Sequence, residues 1–348
     1  MPQGEHATPR AVAVLETDAH GVQRLIPIAL FYERHFYDAA LYRATPVPVA
    51  LAPQTLYEVQ QAGKPVGLFT VQSAMQQDGQ WAARGRYEAA ADSVPRKRIG
   101  QASEDPSRPV LHRRPGSDGD DDQAEMKESR SLPVGGNSAD ITKEAERPRL
   151  RRANPAEENG RSNGDTFHAG EVVTRQVAVS DSGNKRAPTE LLFHCSAVQE
   201  ETMRLQARQL ALAELKQVAA ARGIQEEKLG PPAEEDFHAY QLERNEYTTV
   251  VYSARFAPAQ GTTQQQRGWV VTVIVRAEGV EFTRIFAAVS DPRELDLYPE
   301  IHPVDLVDAE GLGHYLLLLR ETAESGIGWR LGRITGFEMQ TVFATAER

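Results

Sequence analysis

The only cysteine of this 348-residue chain, Cys195, directly follows His194. A thiol nucleophile needs its base beside it in space, and adjacent residues of an extended segment point to opposite faces. We therefore expect no catalytic residue at this pair. A single cysteine also excludes an intrachain disulfide, which fits a reducing compartment without requiring one.

The densest group of acid–base side chains lies later in the chain, at Glu234, Glu235, Asp236 and His238. Carboxylates with a histidine can bind a metal or exchange protons. The group follows two prolines and precedes a strand-like segment, which favours a solvated loop. No catalytic residue is predicted here or elsewhere, because the sequence contains neither a nucleophile elbow nor a zinc-protease helix motif.

A short basic motif occurs twice, as Arg108-Pro109-Val110-Leu111-His112-Arg113-Arg114 and as Arg147-Pro148-Arg149-Leu150-Arg151-Arg152. Two copies of a docking motif on a flexible segment raise the effective concentration for one partner. The shared positions are the candidate interaction residues, namely Arg108, Pro109, Leu111, Arg147, Pro148 and Leu150. The alternative is chance recurrence within a biased composition.

These motifs lie in a segment that lacks the residues of a hydrophobic core. No Phe, Trp or Tyr occurs between Tyr87 and Phe167, and Pro, Gly, Ser, Asn and charged residues dominate. Such a composition buries too little apolar surface to offset the backbone entropy lost on folding, about 1–2 kcal/mol per residue. Residues 92–166 are therefore predicted to be a disordered linker, and each flanking half is expected to pack from its own residues.

Both flanking halves show the pattern of antiparallel strands. In residues 10–91, runs of β-branched and aromatic residues alternate with turns that contain Gly and Pro, and residues 235–347 contain about eight such runs. Residues 167–195 are predicted to be an irregular or short-strand connection. The predicted fold class is mainly β with one long helix (α+β), arranged as two antiparallel β lobes separated by the disordered linker.

The long helix is predicted at residues 196–223. Ser196 and Gln199 fit a capping box, and Gly223 is typical of a helix end. Two apolar stripes run along the helix, one through Leu205 and the other through Met203, so we expect it to be covered on two sides. Packing within its own lobe is favoured, and a homodimer through the 196–223 helix is the alternative.

A resemblance to a known family concerns about residues 300–347. The segment Asp308-Ala309-Glu310-Gly311-Leu312-Gly313, with its flanking apolar runs, resembles the strand–loop–strand unit of FG-GAP/VCBS repeats in integrin-type propellers. In that family the loop places oxygens around calcium, which needs about 6–8 of them. The resemblance implies Asp308 and Glu310 as metal ligands, but Leu312 and Leu316 replace carboxylates. Calcium is therefore possible but not expected, and no other cofactor is expected.

More broadly, residues 10–16, residues 48–71 and this C-terminal unit look like a group of uncharacterised acidobacterial proteins. That resemblance implies no function, but it implies an exported location. The sequence as given begins with a polar segment, Met1 to Arg10, without an apolar signal core, which predicts a soluble cytoplasmic protein. A wrongly assigned start that removed a signal peptide would have the same appearance.

The net charge and the lengths of the apolar runs argue against two classes of protein, nucleic-acid binders and membrane-spanning proteins. A net charge of −10 argues against general nucleic-acid binding, and no window reaches the ~18 apolar residues of a membrane span. The favoured hypothesis is a non-catalytic binding or surface-associated protein, with an unidentified protein or surface as its partner. The alternatives are an enzyme whose site is assembled only in three dimensions, and an intracellular adaptor that uses the repeated Arg-Pro motif.

Overall fold

In the computed structural model of this protein, the described residues are 9–43, 46–77, 79–90, 151–152, 172–180, 190–222, 229–242, 247–258 and 268–345. Strands make up 61% of these described residues, which contain a single α-helix. This confirms the prediction of a mainly β fold with one long helix and two antiparallel β lobes. The predicted linker, residues 92–166, lies outside the described residues apart from 151–152.

The N-terminal lobe is built from short antiparallel strands and a 3-10 turn at Val49–Leu51. Its strands within the described ranges are β1 (Arg10–Asp18), β2 (Gln23–Tyr32), β3 (His35–Asp38), β4 (Tyr42–Arg43), β5 (Leu56–Gln61), β6 (Lys64–Gln77), β7 (Gln80–Ala89), β8 (Arg151–Arg152) and β9 (Val172–Ser180). β4 pairs with β8 and forms an isolated bridge with Pro48 through Arg43, and the remaining strands of this lobe belong to one sheet.

Six strands of that sheet close into an antiparallel barrel. β1 pairs with β9 on one side and with β2 on the other, and the ring continues through β5, β6 and β7 back to β2. Ala11, Ala13 and Leu15 of β1 point into the barrel core, whereas Val12 and Val14 point outward into a second core. β1 is therefore buried on both faces, which explains its unbroken apolar sequence.

The prediction of an irregular or short-strand connection over residues 167–195 differs from the structure at β9. This nine-residue strand lies between β1 and β5, and its residues Val177 and Val179 pack outside the barrel next to Val12 and Val14. The valines of β9 do carry a strand signal. Nothing local, however, indicates that a strand from beyond the long polar segment completes the barrel.

The C-terminal lobe contains the helix α1 (Ala197–Ala221), which precedes two four-stranded sheets. The first sheet contains β10 (Leu229–Tyr240), β11 (Thr248–Pro258), β12 (Trp269–Glu278) and β13 (Glu281–Val289). The second contains β14 (Glu300–Val307), β15 (Leu316–Thr322), β16 (Ile327–Thr335) and β17 (Glu338–Ala344). In both sheets every strand pairs antiparallel with the next strand in the chain.

The helix, the two sheets and the barrel form successive layers. α1 packs on the β10–β13 sheet through a buried face that repeats every four residues, at Met203, Ala207, Ala211 and Leu215. The small alanines allow the helix to approach the strands closely. The other face of this sheet packs on the β14–β17 sheet, whose far face packs on the barrel.

The β14–β17 sheet is buried on both faces along β15. Leu317 and Leu319 contact the β10–β13 sheet, whereas Leu316 and Leu318 contact the outside of the barrel. The expectation that each half packs from its own residues is therefore wrong, because the lobes share this core. The composition of the linker could not reveal this shared core, because it does not specify contacts between the segments that the linker joins. The lobe boundaries stay predictions.

α1 begins with the predicted capping box. The Ser196 hydroxyl accepts a hydrogen bond from the Gln199 amide at 3.3 Å, and Gln199 Oε1 accepts one from the Ser196 amide at 3.0 Å. Among the described residues the helix is covered on one side only, since Val198 is 77% exposed and Leu205 42% exposed. This differs from the expected two-sided cover, and a homodimer through this helix stays a prediction.

A buried carboxylate connects the two lobes. Asp305 of β14 accepts hydrogen bonds from the Ala62 amide at 2.7 Å, the Leu306 amide at 2.7 Å and the Tyr240 hydroxyl at 3.3 Å. Ala62 lies at the tip of the β5–β6 hairpin with φ 48°, and its carbonyl accepts from the Leu191 amide at 3.0 Å. Both backbone groups of this turn residue therefore bond to distant parts of the chain.

We expect Asp305→Ala to lower the free energy of unfolding by about 3 kcal/mol, because it removes the carboxylate that accepts from two buried amides and a buried hydroxyl. Urea unfolding followed by circular dichroism would measure the loss. Glu88→Ala is the control, since Glu88 forms an exposed ion pair with Arg86 and the substitution should cost less than ~1 kcal/mol. Equal losses in the two variants would contradict the role of Asp305.

Candidate functional site

A cavity of about 360 Å³ opens between the first three turns of α1 and the hairpin that joins β12 to β13. Its apolar walls come from four separate parts of the C-terminal lobe, namely Phe193, Val198, Met203, Ala277, Val280 and Phe282. Neutral polar side chains form its remaining edges, namely Gln199, Thr202, Gln206, Gln241 and Thr248, with Tyr247. We refer to this cavity as the helix–hairpin cleft.

Local sequence explains both rims of the helix–hairpin cleft. The capping box fixes the start of α1 and places Val198 and Thr202 on its first turns. The facing hairpin turns at Gly279 and Val280 between the paired residues Glu278 and Glu281, and Gly279 has the φ of 59° that tight hairpins favour. Val280 at this tip is 92% exposed.

The exposed apolar residues of the two rims indicate a binding surface. Val198 and Val280 stand on opposite sides of the helix–hairpin cleft, and both are largely exposed to solvent. Apolar residues clustered around a concave site are typical of ligand or partner contacts, whereas isolated ones are common on any surface. Covering both rims would remove apolar area from water, which stabilises a complex by about 25 cal/mol per Å².

The lining of the helix–hairpin cleft suits binding better than acid–base chemistry. Among its described lining residues, Tyr247 is the only one with an ionisable side chain. The ring of Tyr247 lies against the Arg276 guanidinium, 3.3 Å from its centroid to Cζ. General acid–base catalysis at neutral pH needs a group that titrates in that range, such as a histidine or a shifted carboxyl group.

The acid–base group at residues 234–238 lies within the strand β10, so its expected place in a solvated loop is wrong. Glu234 binds Arg255 at 2.9 Å, and Asp236 binds His238 at 2.9 Å. The strand alternation turns Glu235 to the opposite face, towards α1. The sequence predicted a loop because of the two prolines, but irregularities in the β10–β11 pairing accommodate them.

Glu235 forms the polar contact between β10 and α1. Its carboxylate accepts hydrogen bonds from Arg208 at 2.8 Å and from the Tyr252 hydroxyl at 2.9 Å. Burial, followed by the hydrogen bond to Glu235, raises the pKa of Tyr252. This arrangement anchors the helix on the sheet.

His238 is half-buried and lies near enough to Asp305 to respond to its charge. Its ring stacks on Tyr240 with the centroids 5.8 Å apart, and Tyr240 donates to Asp305. Burial acts to lower the pKa of His238, but the hydrogen bond with Asp236 and the nearby Asp305 charge outweigh it, so the pKa is raised. Burial also raises the pKa of Asp305, in part offset by its backbone hydrogen bonds.

The structure does not direct Asp308 and Glu310 towards a shared cation. The Asp308 carboxylate accepts hydrogen bonds from the Leu312 and Gly313 amides, both at 3.0 Å. The Glu310 carboxylate binds Arg333 at 2.6 Å. Within the described ranges, no group of three or more His, Cys, Asp or Glu side chains is placed to hold a metal ion. The two residues thus have structural partners, and their role as calcium ligands stays a prediction.

The remaining sequence candidates contribute no site in the part of the chain that the structure describes. His194 Nε2 pairs with Glu190 at 3.4 Å, and Cys195 is half-buried just before α1. The six candidate interaction residues of the repeated motif lie outside the described residues, so their docking role stays a prediction.

No family model, curated protein or solved structure matches this chain. The resemblances to FG-GAP/VCBS repeats and to the acidobacterial group accordingly stay predictions. In the described portion, no helix combines the length and the apolar content that crossing a bilayer requires. The helix–hairpin cleft was not found from the sequence, because its walls come from segments far apart in the chain.

Asp308→Ala is expected to lower the free energy of unfolding by about 1–2 kcal/mol, because two backbone amides lose their acceptor. We expect the same loss in millimolar calcium and in a chelator, measured by thermal unfolding. Glu310→Gln is the companion variant, since it removes the charge that pairs with Arg333. A calcium-dependent rise in Tm of the unmodified protein, absent in both variants, would instead support a calcium site.

His238→Gln is expected to destabilise the fold more at about pH 5.5 than at about pH 8.5. Because folding raises the pKa of His238, protonated His238 stabilises the folded state. This stabilisation is fully present below the pKa that His238 has in the unfolded chain. It is lost as the pH rises through the pKa that His238 has in the folded protein. Denaturant unfolding at the two pH values measures it. His314→Gln is the control, because His314 is exposed and forms no ion pair with a described residue. Equal losses at both pH values for His238→Gln would contradict the expectation.

Proposed function

We propose that this protein is a non-catalytic binding protein whose ligand occupies the helix–hairpin cleft. The observation that carries this proposal is a cavity of about 360 Å³ with apolar walls and neutral polar edges. Its volume falls in the range of small-molecule sites, roughly 300–1,000 Å³. The apolar walls supply affinity, and the amide and hydroxyl groups orient the ligand.

The ligand is an uncharged, mainly apolar molecule. Gln199 Oε1 already accepts from Ser196, and the Thr202 hydroxyl already donates to the Val198 carbonyl. Glutamine amides and threonine hydroxyls each have further hydrogen-bonding capacity, so the edge can satisfy a few polar groups of a ligand without requiring a charge. A charged ligand would lose its hydration with no opposite charge in the described lining to replace it. The cleft therefore favours neutral over ionic ligands.

The position of the cleft also supports a binding role. Met203 belongs both to the cleft wall and to the buried core under α1, so one wall is held by the packed helix–sheet layer. A preformed wall reduces the entropy lost when a ligand binds. The proposal includes the expectation that the protein works in association with a surface. The FG-GAP/VCBS resemblance is a further expectation that accompanies it.

Gln206→Trp is expected to weaken binding of the neutral apolar dye Nile red at least tenfold, because the indole would fill the cleft. Tenfold corresponds to about 1.4 kcal/mol. The measurement is a fluorescence titration of the dye with purified protein. Gln209→Trp is the matched control, since Gln209 is an exposed residue of the same helix outside the cleft.

Three outcomes separate the alternatives. Saturable dye binding that is lost in Gln206→Trp and kept in Gln209→Trp supports the proposal. No saturable binding by the unmodified protein, or equal binding by both variants, overturns it. A dimer in solution that Gln206→Trp dissociates would show that a second copy covers the cleft, and this would also overturn the small-molecule proposal.

A further inference from the structure

The core shared by the barrel and the β14–β17 sheet ends in a group of charged residues. Along β1, the outward-facing Val12 and Val14 are followed two residues later by Glu16, on the same face. The same alternation places Arg24 beyond the core residue Ile28 on β2, and Arg175 before Val177 on β9. All three charged side chains therefore face the β14–β17 sheet.

Glu16 is a buried carboxylate bound by two arginines. It is 3% exposed, and it forms ion pairs with Arg24 at 2.7 Å and with Arg175 at 2.9 Å. The strand register brings both partners into position, because Glu16 lies directly opposite Arg24 in one pairing and opposite Arg175 in the other. The arginine side chains are 27% and 30% exposed, so the group reaches solvent.

Arg320 adds a third guanidinium from the facing sheet. It follows Leu316 and Leu318 on the barrel-facing side of β15 and lies opposite the core residue Trp329 in the register. Burial, followed by the charge of Arg175, lowers the pKa of Arg320 to about 10, and Glu16 acts in the opposite direction. The register with Trp329 and the alternation after Leu318 put Arg320 on the barrel-facing side of β15, the side that the Glu16 group faces.

Arg320 has few partners among the described residues. Its Nη1 donates to the Thr322 hydroxyl at 2.9 Å, while its buried Nε has no hydrogen-bond acceptor and no described carboxylate forms an ion pair with it. The nearby Glu300 carboxylate is already bound by Arg255 at 2.8 Å and 3.1 Å. Unpaired buried charge is costly, so a largely buried guanidinium without a carboxylate partner calls for an explanation.

We infer that Arg24, Arg175 and Arg320 form a binding site for an oxyanion, the carboxylate or phosphate group of a small ligand. The charges of Arg24, Arg175 and Arg320, set against the single charge of Glu16, leave an excess of two positive charges, although the chain as a whole carries −10. Arginine presents its N–H groups as a planar fork that matches carboxylate and phosphate oxygens. The site lies between the barrel and the β14–β17 sheet, so it is separate from the helix–hairpin cleft.

The test is a titration of the full chain with inorganic phosphate and, separately, with acetate, at an ionic strength held constant with sodium chloride. A bound anion raises Tm with concentration, because it stabilises only the folded state. With at least one of the two anions we expect Tm to rise with the logarithm of the anion concentration once that concentration exceeds Kd, and the stronger response identifies the preferred group. No rise beyond that in chloride with either anion overturns the inference.

Arg320→Gln is the decisive variant, because it removes the unpaired guanidinium and leaves both ion pairs of Glu16. We expect it to fold and to bind the anion at least tenfold more weakly. Arg86→Gln is the matched control, since the Arg86 side chain is 72% exposed and pairs with Glu88 instead of the Glu16 group. This variant should respond to the anions like the unmodified protein. Equal responses in the two variants would overturn the inference.

Two further variants keep the test informative. If Arg320→Gln fails to fold, Arg320→Lys retains the charge but not the planar fork, and its anion affinity should fall severalfold; unchanged affinity would count against the site. Gln206→Trp, which fills the helix–hairpin cleft, should keep the full phosphate or acetate response. The oxyanion site and the proposed function can therefore fail independently.

Discussion

The burial of the β14–β17 sheet on both faces is the constraint on which the rest of the structure depends. Four successive leucines of β15 alternate between the barrel and the β10–β13 sheet, so neither face of that strand meets water. A sheet with two apolar faces needs a layer on each side. The barrel and the helix-backed sheet supply those layers, and the dry interior between them strengthens the hydrogen bonds of Asp305 to Ala62 and Tyr240.

The candidate binding features lie where these layers end. The helix–hairpin cleft is at the margin of the helix–sheet layer, where α1 begins and the β12–β13 hairpin turns. The arginine group lies at the margin of the sheet–barrel layer, where the valines of β1 and β9 give way to charged residues. Rigid packing behind each margin fixes side chains that still reach solvent, as binding sites require.

Local patterns predicted the elements of this fold better than the contacts between them. The strand runs, the capping box of α1 and the β-rich class all follow from side-chain types over a few residues. The partner of β9, the shared core and the helix–hairpin cleft depend on residues far apart in the chain, which no window of sequence contains. Glu235 and Asp236 show the same limit. The sequence shows two neighbouring carboxylates, but only their place in the strand β10 shows that they point to opposite faces of the sheet.

The place of β9 in the barrel has a consequence for synthesis of the chain. β1 and β5 flank β9, and both are made before it, on the far side of residues 91–171. Until the ribosome has released residues 172–180, these two strands present open edges whose amides and carbonyls lack a neighbour. The emerging barrel is then a gapped sheet, at risk of pairing with other chains, and its closure waits for a late segment. The long polar segment therefore delays closure of the barrel, because the ribosome must synthesise it before β9 can pair with β1 and β5.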